Sequence, residues 1–113
     1  IFPKKEVNMV FQPHRFSRTK DLFENFIKVL QLVDNLILLP IYPAGEKKIK
    51  EISSTILAKE LKKQGFKKAY LSDSFSNLVE ILSHIQTDKD SVLLIQGAGS
   101  ISDFSHKILE LKE

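Results

Sequence analysis

Cysteine is absent from this sequence, and arginine is nearly so. Without cysteine there are no disulfides and no thiol chemistry, and the composition is compatible with a reducing compartment. Long hydrophobic runs are missing as well. The longest, residues 36–39, is far too short to cross a bilayer. No stretch reads as a signal peptide. No P-loop consensus, HxxxH pair or carboxylate cluster suited to a metal is present. Strong charge bias is lacking too: the net charge is +3 with a pI of about 9.1. The lysines are scattered, so the pattern falls short of a dedicated nucleic-acid binder. Lys47, Lys48, Lys50, Lys62, Lys63, Lys67 and Lys68 read as solvated faces. No acidic cluster ends the first predicted strand, which disfavours a flavodoxin-like receiver.

What remains is ordinary globular composition, 42% hydrophobic and 27% charged. A chain of 113 residues is one domain, long enough to bury a core. It begins at Ile1, close to a predicted strand, and reads as a fragment of something longer.

The elements alternate. VNMVF (residues 7–11) is a short apolar run closed by Gln12-Pro13, a strand and then a loop. From Lys20, Leu22, Phe23, Phe26, Ile27, Val29, Leu30 and Val33 recur at helical spacing, with Thr19 as N-cap and Asp21 in the first turn. The continuous run LILLP (36–40) predicts a strand buried on both faces, hence a parallel sheet. After a loop holding Pro43 and Gly45, a helix starts near Ser54 and closes at Gly65. KAYLS (68–72) is a short strand. A helix follows through Phe75, Leu78, Val79, Leu82 and Ile85, capped by Asp73 or Ser74. SVLLIQ (91–96) is the fourth strand. GAGS then turns into a last helix with Ile101, Phe104, Ile108 and Leu111 on one face. The order β-α-β-α-β-α-β-α predicts an α/β, three-layer, Rossmann-like domain with a mainly parallel sheet of at least four strands. Four strands are few, so a further element is expected before Ile1.

Ligands of open parallel sheets bind beyond the carboxyl ends of the strands. Three unusual stretches fall there: QPHRFSRT, IYPAGE and QGAGS. The two arginines of the chain, Arg15 and Arg18, stand together with His14 in the first of them, against fifteen lysines elsewhere. Arginine presents a rigid fork of donors that matches carboxylate or phosphate, which lysine cannot copy. Arg18 is placed just before a predicted helix N-terminus, which also favours anions. The alternative is a solvated basic loop, or pairing with Asp21 or Glu24. His14 either donates to an anion or fixes the loop by a backbone bond. His84 and His106 read as surface residues. QGAGS has two glycines of a phosphate loop but Ser102 where GxGxxG needs a third, so it is either an anion loop or a tight turn.

Read together, FQPHRFSRT followed by DLFENF, then IYPAGE, then QGAGS before a helix resemble the C-terminal domain of the Mur ligases, in the branch that joins L-alanine to UDP-N-acetylmuramate. The resemblance runs from about Val7 to the end, and FQPHRFSRT is its specific part. Pro43 and Pro40 depart from it, where alanine and an acidic residue are usual. The resemblance implies a three-domain bacterial cytoplasmic enzyme of peptidoglycan synthesis. A central ATPase domain holds ATP and Mg2+, and residues 1–113 are a fragment of the third domain that closes over it. ATP phosphorylates the muramoyl carboxylate, and the amine of L-alanine attacks the acyl phosphate. His14, Arg15 and Arg18 would line the site for L-alanine and the reacting phosphate. Tyr42, Ala44, Gly45, Gly97, Ala98, Gly99 and Ser100 would shape its wall. The fragment alone would be inactive, with no nucleic-acid or membrane partner. The competing reading is a non-catalytic Rossmann-like module that binds an anion or nucleotide.

Overall fold

The computed structural model describes residues 6–85 and 91–97. Its centre is a four-stranded, all-parallel sheet built from β1 (Glu6–Phe11), β2 (Asn35–Leu38), β3 (Ala69–Leu71) and β4 (Ser91–Gln96) in the order β3-β2-β1-β4. The α/β, Rossmann-like expectation is met. The last predicted helix, with His106, lies outside the described residues.

Alternation along β1 sorts its side chains between two faces. Val7, Met9 and Phe11 join Leu36 and Leu38 of β2 in one apolar cluster. Over them pack Phe26, Ile27 and Leu30 of α2 (Phe23–Leu30) and Leu57, Ala58 and Leu61 of α3 (Ser54–Lys63). Phe11 and Phe26 meet with ring centroids 5.3 Å apart, tilted by 50°. All four residues of β2 are buried, as a strand covered on both faces must be. No residue of α4 (Phe75–Ile85) belongs to that cluster among the described residues. The chain passes from the β3 edge to the β4 edge through α4, and right-handed crossover assigns α4 to the opposite face. On that face Asn8 and Asn35 are buried side by side in register, and Asn35 Nδ2 donates to Asn8 Oδ1 at 2.8 Å and to Glu6 Oε1 at 2.9 Å.

Local rules explain α3 at both ends. The Ser53 hydroxyl accepts from the Ile56 N–H at 3.1 Å, an N-cap. At the other end Gly65 takes φ +99°, and the Gly65 and Phe66 amides donate back to Lys62 and Leu61. These are the paired bonds of a Schellman stop, and they need glycine's freedom at positive φ. Ser74 caps α4 in the same way, accepting from the Asn77 N–H. His84 is exposed on α4.

The first helical stretch departs from expectation. It begins at Phe16, not Lys20, and is divided at Leu22 (φ −106°, ψ 15°) into α1 (Phe16–Asp21) and α2. Thr19 is therefore not a cap. It is buried within α1, where its hydroxyl donates to the Arg15 carbonyl at 2.7 Å. Arg18 lies inside α1 rather than ahead of a helix.

Candidate functional site

From β1 the chain steps outward through β2 to β3, then returns to place β4 on the other side of β1. The switch point, where such sheets open a crevice, thus lies between the ends of β1 and β4. Gln12 and Gln96 close the ladder there, with the Gln12 N–H donating to the Gln96 carbonyl at 3.0 Å. Gly97 follows, and a Cβ built on it would stand 3.6 Å from His14 Nε2. That is ordinary contact, and Gly97 is not at positive φ. The structure gives Gly97 a place beside His14 without demanding glycine there.

The loops after β1 and β2 are joined along their length. The Tyr42 N–H donates to the Pro13 carbonyl at 2.9 Å, and the Arg15 N–H to the Tyr42 carbonyl at 2.7 Å. His14 and Tyr42 thereby form an isolated parallel bridge, with rings 5.1 Å apart. At the two departures from the resemblance, each proline's carbonyl accepts a hydrogen bond within these loops. Pro40 accepts from Gln12 Nε2, and Pro43 from the Glu46 N–H at 3.0 Å. Between Pro43 and Glu46, Ala44 (φ +51°) and Gly45 (φ +87°) both take positive φ, which marks a type I′ turn. Gly45 suits it, whereas Ala44 adopts it against its preference.

That turn brings Glu46 back to the first loop. Its carboxylate accepts from the Ser17 N–H at 3.2 Å and the Ser17 hydroxyl at 2.5 Å. The hydroxyl bond, then the amide bond, hold the Glu46 carboxyl below its usual value. Desolvation opposes them, while the Phe16 backbone and the charge of Arg15 assist. Arg15 itself stands at φ +68°, ψ 141° as the residue before α1. That is near a region almost reserved for glycine, and such conformations cost on the order of 1–3 kcal/mol. It persists because its amide is tied to Tyr42 and its carbonyl to Thr19. The Arg15 side chain is exposed.

The structure thus gathers His14, Arg15, Tyr42 and Gly97 at one end of the sheet, with Gly45 forming the turn behind them. Arg18 follows in α1, half-buried. Ala98, Gly99 and Ser100 lie outside the described residues. Sequence reasoning missed Ser17 and Glu46. The available signal was a serine between the two arginines and an acidic residue directly after Gly45. The donors fit an anion. Among the described residues no group of three or more His, Cys, Asp or Glu could hold a metal, and no helix is long and apolar enough to cross a membrane.

A cleft of about 570 Å³ opens between the ends of β2 and β3 and the start of α3. Phe16, Ile41, Ile49 and Leu71 line it, and Lys48 and Lys50 stand at it. It contains none of the expected site residues.

No family model matches the chain. It is 40% identical over 104 residues to the UDP-N-acetylmuramate–L-alanine ligase of Hydrogenovibrio crunogenus, covering 92% of this chain and 22% of that one. To the enzyme of the same name from Neisseria meningitidis serogroup C it is 39% identical over 112 residues, covering 99% of this chain and 24% of the relative. The chain spans about a quarter of the length of the relatives it matches. Over nearly its whole length, the chain is homologous to the C-terminal portion of the UDP-N-acetylmuramate–L-alanine ligases of the Mur ligase family.

Proposed function

We propose that residues 1–113 belong to the C-terminal domain of an ATP-dependent ligase that adds L-alanine to UDP-N-acetylmuramate in peptidoglycan synthesis, in the bacterial cytoplasm. The observation that carries the reading is the joining of the β1 and β2 loops beside the switch point, which presents His14, Arg15 and Tyr42 together. In this reading His14, Arg15 and Arg18 face two anions, the carboxylate of L-alanine and the phosphate of the activated muramoyl group. Tyr42, Gly45, Gly97, Ala98, Gly99 and Ser100 form the wall around them. ATP with Mg2+ supplies the phosphoryl group, and both are held outside this chain by the central ATPase domain. This domain closes over that one.

The arginines act by charge and geometry. A guanidinium fork binds a carboxylate in two parallel bonds and so fixes the direction of the amine. When the amine attacks the acyl carbon, the C–N bond forms and the C–O bond to phosphate breaks, with the electron pair leaving on phosphate. Fixed positive groups stabilise that developing charge without rearranging. The isolated chain is expected to be inactive.

The test is phosphate release by the product of the complete reading frame, supplied with ATP, magnesium, UDP-N-acetylmuramate and L-alanine. Turnover that needs L-alanine and collapses in folded Arg15→Ala and Arg18→Ala variants is the expected outcome. A wild type without turnover in any mixture of these substrates would overturn the reading and leave a non-catalytic anion- or nucleotide-binding module.

A further inference from the structure

The contact between Glu46 and Ser17 joins the two site loops. Ser17 stands between Arg15 and Arg18 in the sequence. Both oxygens of Glu46, 29 residues further on, accept from this one residue. We propose that Glu46 is a positioning residue: bound to the Ser17 amide and hydroxyl, it fixes the start of α1 and so the directions in which Arg15 and Arg18 present their guanidinium groups to an anionic substrate. The inference rests on the reading of the arginine loop as the site for the L-alanine carboxylate and the reacting phosphate.

Three features of the structure support it. The first is the backbone of Arg15, which relaxes unless it is held from both sides. Its amide is bonded to the Tyr42 carbonyl at 2.7 Å, and its carbonyl accepts from Thr19. Beyond it, the Ser17 amide at the first turn of α1 is taken by Glu46. Loss of that bond frees the turn that carries both arginines. The second is the turn at Ala44 and Gly45. Two successive residues at positive φ reverse the chain and return Glu46 toward Ser17. The third is the direction of the carboxylate. Paired with an arginine, it would compete with an anionic ligand. Aimed at Ser17, it has both oxygens taken by Ser17 donors and acts on Arg15 by charge.

The experiment compares Glu46→Ala, Glu46→Gln, Ser17→Ala and the double variant Glu46→Ala/Ser17→Ala in the product of the complete reading frame. Kinetics are measured with L-alanine varied and then with UDP-N-acetylmuramate varied, alongside thermal melts. Misplacing catalytic groups by about 1 Å is enough to cost about 100-fold, so Glu46→Ala should raise the KM for L-alanine about tenfold or more, with the KM for UDP-N-acetylmuramate changed by no more than about twofold. Glu46→Gln should recover most of the loss, because its amide oxygen still accepts from Ser17. The double variant should be no worse than Glu46→Ala alone, since Ser17→Ala removes only the hydroxyl bond and Glu46→Ala already removes both. A folded Glu46→Ala with unchanged dependence on L-alanine overturns the proposal, as does full additivity in the double variant. If Glu46→Ala does not fold, Ser17→Ala decides: a raised KM for L-alanine supports the proposal, and an unchanged one overturns it. Arg15→Ala and Arg18→Ala separate the two levels. If they abolish the L-alanine dependence while Glu46→Ala leaves it intact, only the positioning role fails. If they too have no effect, or the wild type shows no turnover, the reading of the site fails and takes this proposal with it.

Discussion

The helices α1 and α3 are capped in opposite ways. α3 is closed by its neighbours in sequence: Ser53 at its start, and Gly65 and Phe66 at its end. α1 starts at an arginine in a conformation suited to glycine and receives its cap from Glu46 in another loop. α3 buries Leu57 and Leu61 in the core, while α1 carries Arg18, half-buried, after the β1 loop. The helix that serves packing obeys local rules. The helix at the candidate site depends on a contact made only after the sheet has assembled. Strain of this kind gathers where a site needs a geometry that the chain would not choose alone.

The sharpest way to break the packing side is Leu57→Ala. Leu57 is fully buried, and such truncations cost about 2–5 kcal/mol. A urea melt should show a loss of that size. The corresponding change at α1 is Arg15→Gly, which separates strain from function. Glycine accepts the observed φ, so the folded chain should lose nothing or gain about 1 kcal/mol, opposed by glycine's greater unfolded-state entropy. Under the proposed function, turnover should nevertheless fall about 100-fold with the guanidinium gone. A variant that keeps full turnover would remove Arg15 from the site.

Smaller changes refine the contrast between the two caps. Ser53→Ala should cost about 1 kcal/mol, as the loss of an N-cap does, and should leave substrate dependence alone. At α1 the cap titrates. The folded-state pKa of Glu46 is depressed, so its contribution is complete above the unfolded value of about 4.3 and is lost as pH falls through the lower folded value. Glu46→Gln should therefore flatten the acid limb of a stability–pH curve, whereas Ser53→Ala should only lower it. The smallest effect is expected from Gly97→Ala. Its added methyl meets His14 at ordinary contact distance, so a melt should move by less than about 0.5 kcal/mol.

The cleft lined by Phe16, Ile41, Ile49 and Leu71 lies at the β2 and β3 ends, whereas the clustered donors and the strained backbone lie toward the β1–β4 switch point. Topology located that crevice, and topology was legible from the strand pattern.

By itself the sequence determined the alternation of strands and helices, the burial of β2, both ends of α3, a cap for α4 at Asp73 or Ser74 and the stretch holding both arginines. Each follows from residues adjacent along the chain or from hydrophobic period, which a single sequence displays. Only the tertiary structure decided where α1 begins, that Thr19 is buried inside it, and that Arg15 stands at positive φ. It alone joined Tyr42 to His14 and Glu46 to Ser17. Those outcomes depend on hydrogen bonds between residues 27 and 29 positions apart. Such partners acquire fixed positions only when parallel strands bring their loops side by side, and no local propensity encodes them.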